Sequence, residues 1–482
     1  MNSSNLTKRP ISLFLAAYFG LRIFSYFFSP NTPLYSANPI NWTVSIVVLL
    51  LAVYLLFKND DRGWLIIAGE LILGGAGSFL EIKGISLRTL LLISSMAIFG
   101  YQLIKNRQLG LLLKNSKALL IFITLLAVVG ISALRGYYLG HNLKLVLADT
   151  IPYLFLLYYF PLKQLLTSET FRRASFNMLI AAIIGNFIFI YLTLAGFSSG
   201  VFALQDSYYH WFRDIASGKI TDYATGFFRI LTNEQLLLVP LLLLFLSDAI
   251  LSFPQKRESS QFVRWIPIVM GMTLLPVLAI NLTRIYLVAL TIGILFLFSV
   301  KNWKRWLAYS AGAFIFFIVA FSLTHLAATK GKSLGWENLG LRLQSIAMPQ
   351  IEDSSLSRMM LLPKIMEKIK LHPLLGNGLG DTVTVYSPVF DANITTPHFD
   401  WGYLEIIDEL GSFGFVVWIL LIVYCLLLIT KTKNKAALAA LVGLLVINIT
   451  SPALFHVLGI VFLMYLLISV PTAKLNSLNS TK

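Results

Sequence analysis

Apolar residues run along this chain in stretches long enough to wind into membrane-crossing helices, separated by short polar breaks. A helix rises ~1.5 Å per residue, so about 20 apolar residues cross ~30 Å of hydrocarbon. Fourteen spans are predicted, near 11–29, 41–57, 62–80, 86–104, 118–134, 143–161, 175–196, 230–252, 262–280, 282–300, 304–327, 402–430, 436–453 and 454–470. The break at Asn281–Arg284 and the link at Ser451–Pro452 are very short, which sets the range at twelve to fourteen. The pattern therefore predicts an all-α polytopic membrane protein forming a single integral membrane domain over 1–482. Two polar stretches interrupt it, at 197–229 and, larger, at 328–401.

Composition agrees: 57% of residues are apolar and 12% charged, against ~25% charged in soluble domains. A single cysteine, Cys425, excludes an internal disulfide framework. The net charge of +16 does not point to nucleic acid, because its Lys and Arg residues punctuate apolar runs; anionic lipid headgroups are the fitting partner. With the N-terminus inside, the inner loops hold twenty-two Lys and Arg residues and the outer side fifteen, seven of them in the long loop 328–401. The positive-inside rule then predicts both termini in the cytoplasm, with 197–229 and 328–401 exported. Inner loops are too short for a nucleotide-binding domain, so the chemistry runs without an ATPase of its own.

The candidate chemistry gathers in the late outer loop. Gly376, Gly378 and Gly380 alternate with other residues, a pattern that permits tight turns and can leave peptide N–H groups free for an anion; His372 precedes them. Six carboxylates lie between Asp381 and Glu409. Glu405, Asp408 and Glu409 share one face of a starting helix, where the helix dipole favours acids. His398 is a candidate general base, since imidazole titrates near neutral pH. No ligand spacing specifies a metal, and neither metal nor cofactor is expected. Arg88, Arg135, Arg229 and Arg284 stand near predicted outer span ends, and Arg284 lies in an almost unbroken apolar stretch where a guanidinium would seek a phosphate or carboxylate. Glu70 sits mid-span among glycines, where an acid is either functional or paired, and Arg22 is the candidate structural partner.

The segment His372-Pro373-Leu374-Leu375-Gly376-Asn377-Gly378-Leu379-Gly380, and the closing Tyr403-Leu404-Glu405 with Glu409-Leu410-Gly411 and Gly414, resemble the O-antigen ligase and O-antigen polymerase family. Three stretches around Arg88, Arg135 and Arg284 are similar to that family's basic motifs, so the resemblance covers roughly 80–425. The family's ligases often carry His-Asn two residues before the Tyr-Leu pair, where this chain has Asp400-Trp401 with His398 two residues upstream. Some polymerases carry Asp-Asn there, closer to Asp400-Trp401, so His398 and Asp400 both stand as the base. Ile285 replaces the usual glycine after the arginine.

The resemblance implies a GT-C-like glycosyltransferase in a bacterial inner membrane, inverting and metal-independent, serving cell-surface polysaccharide or lipopolysaccharide synthesis. Its donor would be a glycan on polyprenyl (undecaprenyl) diphosphate, and its acceptor a second glycan, lipid A-core or a protein hydroxyl. Arg284 would assist catalysis beside His398 or Asp400, while Arg88, Arg135, Arg229, His372, Gly376, Gly378 and Glu405 would contact substrate. The competing reading is a secondary transporter or lipid-linked glycan flippase, which would place charges in a midplane cavity between two similar halves; here the polar chemistry is concentrated in one late loop.

Overall fold

The computed structural model describes residues 11–29, 39–75, 77–107, 116–252, 261–348, 350, 352–387 and 391–479. Lys8, Arg9, Lys114, Lys256, Arg257 and Lys482, six of the twenty-two Lys and Arg residues counted on the inner side, lie outside the described residues. Among the described residues nine helices are long and apolar enough to cross a membrane, and four shorter apolar helices accompany them at Trp265–Asn281, Arg284–Phe296, Lys435–Ile447 and Val457–Ser469. The chain is an all-α polytopic membrane protein. Its spans turn many apolar side chains outward: Leu50, Leu192 and Phe314 are each about 60% exposed or more, as lipid-facing positions require.

The chain divides into two compact units, one of Met1–Gln102, Pro161–Thr283 and Gly293–Glu337, the other of Leu103–Phe160, Arg284–Ile292 and Asn338–Lys482. In the first, the helices Ile11–Phe28 and Glu169–Ser199 pack along each other, and the Tyr18 ring lies so close to Gly185 that a Cβ there would meet it at 2.5 Å. Ser168 caps the second helix by accepting from Phe171 N at 3.4 Å, and Gly200 ends it in a left-handed conformation.

The span expected over 62–80 is broken. Its helix, Arg62–Ile72, stops at a glycine-rich stretch, and the carbonyls freed there find arginines. Arg22 donates to Leu73 O at 3.0 Å and Arg88 to Gly77 O at 2.5 Å. Both guanidinium charges are balanced by carboxylates, Arg22 by Glu234 and Arg88 by Glu70 at 3.5 Å. The expected Glu70–Arg22 pairing is thus corrected: each takes another partner, since a buried charge needs a counter-charge at hydrogen-bonding range. A two-residue turn at Lys83-Gly84, both with positive φ, then closes the hairpin β1 (Glu81–Ile82) and β2 (Ile85–Ser86).

The run expected to span from 230 begins as a strand. β3 (Gly218–Asp222) and β4 (Phe228–Thr232) form an antiparallel hairpin in the register Ile220↔Ile230, and the helix Leu238–Ser247 follows only after a short 3-10 turn. Strand alternation buries Ile230 and turns Arg229 to the other face.

In the second unit the helix Ser116–Tyr138 packs on Gly402–Thr432, close enough that a Cβ on Gly414 would meet Val128 at 3.0 Å. The stretch 328–401 is far from structureless: it contains the helices Trp336–Ala347 and Asp353–Leu371 and the hairpin β5 (Val383–Ser387) and β6 (Ala392–Thr396). Leu361 and Ile365 pack with Val383 and Phe399 in a small core. Burying Phe399 contributes roughly 2–3 kcal/mol and fixes the backbone between His398 and Asp400.

Candidate functional site

The site is organised by a break in a helix. Gly402–Thr432 is interrupted at Gly411, whose φ of 71° and ψ of 177° suit glycine and strain any other residue. The break frees the carbonyls of Asp408 and Glu409 and the amides beyond Gly411, and the segment after His372 docks into it. Asn377 N donates to Asp408 O at 2.6 Å and Gly378 N to Glu409 O at 3.2 Å, while Ser412 N donates to Pro373 O at 2.9 Å. Ser132 Oγ adds a second donor to Glu409 O at 2.6 Å. The approach is so close that a Cβ on Gly376, itself at φ 72°, would meet Glu409 O at 2.5 Å.

This corrects the reading of the glycine run as a set of open amides. Gly376 N donates to His372 O, Leu379 N to Ser132 O, and Gly380 N to Asp149 Oδ2 at 3.0 Å. The amides are spent on the protein, and Gly376 and Gly378 serve as close-packing backbone. His372 itself is exposed.

The three helix-face acids are also not surface charges: Glu405, Asp408 and Glu409 are all buried, as is Asp381. Buried carboxylates require donors, and residues the sequence reading passed over supply them. Asn377 Nδ2 donates to Asp408 Oδ1 at 2.8 Å; Gly380 N, which serves Asp149, also reaches Glu409 Oε1 at 3.3 Å. Lys368 Nζ holds Asp381 Oδ1 at 2.5 Å, with His141 Nε2 at 3.6 Å. Phe399 N donates to Glu405 Oε2 at 3.1 Å. Asp149 had a signal of its own, an acid within a long apolar run; Asn377, Lys368 and His141 had none, because their role depends on which carboxylate the fold sets beside them.

His398 lies at the open edge of this cluster, its side chain 66% exposed and its Nδ1 3.9 Å from Glu405 Oε1. The Glu405 carboxylate raises the imidazole pKa above the ordinary histidine range, and the charges of Asp149 and Asp400 act in the same direction. Asp400 takes a left-handed backbone conformation, and its Oδ2 sits 3.4 Å from Arg358 Nε. Trp401 Nε1 ties the same segment to Arg358 O at 3.0 Å.

The four arginines fare differently. Arg135 Nε donates to Gly376 O at 2.7 Å, and among the described residues its two terminal nitrogens have no protein partner. Arg284 meets Glu352 Oε2 at 3.0 Å and Ser345 Oγ at 2.8 Å, with Ser355 Oγ a further acceptor; Arg342 shares Glu352, leaving two guanidiniums on one carboxylate. Arg88 and Arg229 belong to the first unit. Arg88 is paired as described, and Arg229 donates to Asn281 O at 2.6 Å and Thr283 Oγ1 at 2.8 Å, bracing the turn in which Leu282 has positive φ. The structure thus brings Arg135, Gly376, Gly378, Glu405, His398 and Asp400 into one connected arrangement in the second unit. Among the described residues no group of three or more His, Cys, Asp or Glu side chains is arranged to hold a metal ion.

Neither the curated proteins nor the solved structures compared with this chain give a match. A family model described as O-Antigen ligase matches residues 268–419, a stretch holding Arg284, the helices Trp336–Ala347 and Asp353–Leu371, the glycine run, His398 and the break at Gly411. Over that stretch the chain is similar to the O-antigen ligase family, and the similarity supports a membrane enzyme that processes glycans in polysaccharide synthesis.

Proposed function

We propose that this protein transfers a glycan from polyprenyl diphosphate to a hydroxyl acceptor at the outer face of a bacterial cytoplasmic membrane, with both termini inside. The observation that carries the reading is the pairing of exposed His398 with buried Glu405, in a unit where Arg135 leaves its terminal nitrogens unused. The acceptor hydroxyl attacks the anomeric carbon as its bond to the diphosphate oxygen breaks. The electron pair departs with the diphosphate, the acceptor proton passes to neutral His398, and direct displacement inverts the anomeric centre. Negative charge growing on the diphosphate calls for cations already in position. Arg135 supplies two N–H-bearing nitrogens, and Arg284 stands beside Arg342 on the Glu352 carboxylate. Asp400 is engaged by Arg358, 3.4 Å away. A diphosphate leaves without acid help, so no metal is called on for this chemistry.

The test is transfer by purified protein in lipid discs, given a synthetic polyprenyl-diphosphate glycan and, in turn, lipid A-core, a second lipid-linked glycan and a hydroxyl-bearing protein. Transfer to one of them with an inverted linkage, unaffected by chelator, supports the reading. A retained linkage or absence of transfer to all three contradicts it.

A further inference from the structure

The helix Trp336–Ala347 is built the wrong way round for an aqueous loop. Its buried positions include Arg342 and Ser345 beside Leu339, while Leu341 is 56% exposed and Trp336, Leu343 and Ile346 are 52%, 50% and 46% exposed. Spacings of seven and three put Trp336, Leu343 and Ile346 within about 80° of one another on one side of a helix, with Gln344 and Glu337 about 80° and 100° round from Trp336, and Leu341 on the far side. An amphipathic helix with a Trp–Leu–Ile stripe turned outward fits the boundary between headgroups and acyl chains.

Its depth is fixed by its neighbour. Ser345 accepts from Arg284 at 2.8 Å, and Arg284 is the first residue of the apolar helix Arg284–Phe296. The polar side of Trp336–Ala347 therefore lies within one arginine side chain of the start of that apolar helix. On the sequence side, only the residues between Ala328 and Trp336 separate it from the span Val300–Ala328.

We propose that Trp336–Ala347 is an interfacial helix that lies in the leaflet where Arg284–Phe296 begins, with Trp336, Leu343 and Ile346 among phospholipid acyl chains. The partner is the bilayer itself, not a second protein. Seated there, the helix presents Arg342 and Ser345 to Arg284 from its polar side, holding that guanidinium at the level of the lipid phosphates.

The test uses the full chain, one copy per lipid disc, with Leu343→Cys and Gln344→Cys each labelled by an environment-sensitive fluorophore. Both sites are exposed, and the native Cys425 is buried, so the parent protein serves as the unlabelled control. Phospholipid brominated along its acyl chain should quench the probe at 343 about twofold or more, with blue-shifted emission, and leave the probe at 344 nearly unchanged. Equal, water-like emission at both positions would overturn the proposal. So would blue-shifted emission at 343 that bromolipid fails to quench, since protein and not lipid would then cover the stripe.

Discussion

Arg135 is fastened to Gly376 by one nitrogen: Nε donates to the glycine carbonyl at 2.7 Å, and among the described residues the two terminal nitrogens meet no protein group. The bond orients a guanidinium without using the edge that grips phosphate. Arg135→Lys keeps the charge but loses both the anchor and the planar pair of donors. Glycan transfer should fall about ten- to a hundredfold, matching the ~1.5–3 kcal/mol of a charged hydrogen bond, at unchanged membrane levels. Transfer at the parental rate would show that Arg135 holds the glycine run and does nothing to the donor.

Gly411→Ala should be a folding defect. Its positive φ strains any side chain, and a Cβ there would meet Leu374 O at 2.2 Å. Steric and conformational costs of about 1–3 kcal/mol or more should lower the melting temperature of detergent-solubilised protein. An unchanged melting temperature would mean that the docking of His372–Gly380 into the break adds nothing to stability.

The Glu405–His398 pair predicts a pH effect with a definite sign. His398 accepts a proton only when neutral, and its pKa is raised above the ordinary ~6.5, so transfer should weaken as pH falls through that raised value. The pair's attraction stabilises the fold fully below ~6.5 and is lost as pH rises through the raised pKa. Glu405→Gln removes the largest cause, and the acid limb of the pH–rate profile should move to lower pH. A limb that stays in place would separate Glu405 from His398.

Sidedness is read from charge and tested by fusions. Alkaline phosphatase, active only outside the cytoplasm, should be active when joined after Lys370 and inactive after Lys433. The opposite pattern would put the His398 loop in the cytoplasm and remove the proposed reaction from its face of the membrane.

The spans were legible because hydrocarbon selects for composition, which a single sequence displays. Hydropathy did not show where the backbone stops being helical. The run 62–80 stays apolar through its break, and the stretch 230–232 reads as the start of a span although it pairs as a strand. At the site, the glycine run and the Glu405, Asp408 and Glu409 trio were visible as motifs. Their use was not: an amide free in sequence is free in the fold only if no carbonyl reaches it, and the break at Gly411 supplies those carbonyls. The same holds for Arg284, whose partner Glu352 lies in the connection between the helices Trp336–Ala347 and Asp353–Leu371.

The central claim is that His398, and not Asp400, takes the acceptor proton. The most direct measurement is the turnover of His398→Gln and Asp400→Asn in lipid discs, alongside binding of the lipid-linked donor. Because Asp400 is paired with Arg358, Asp400→Asn should keep transfer within a few-fold of the parent. His398→Gln should lose about 10² to 10⁴ in rate with donor binding intact. Parental turnover by His398→Gln, or a comparable collapse in Asp400→Asn alone, would contradict the account.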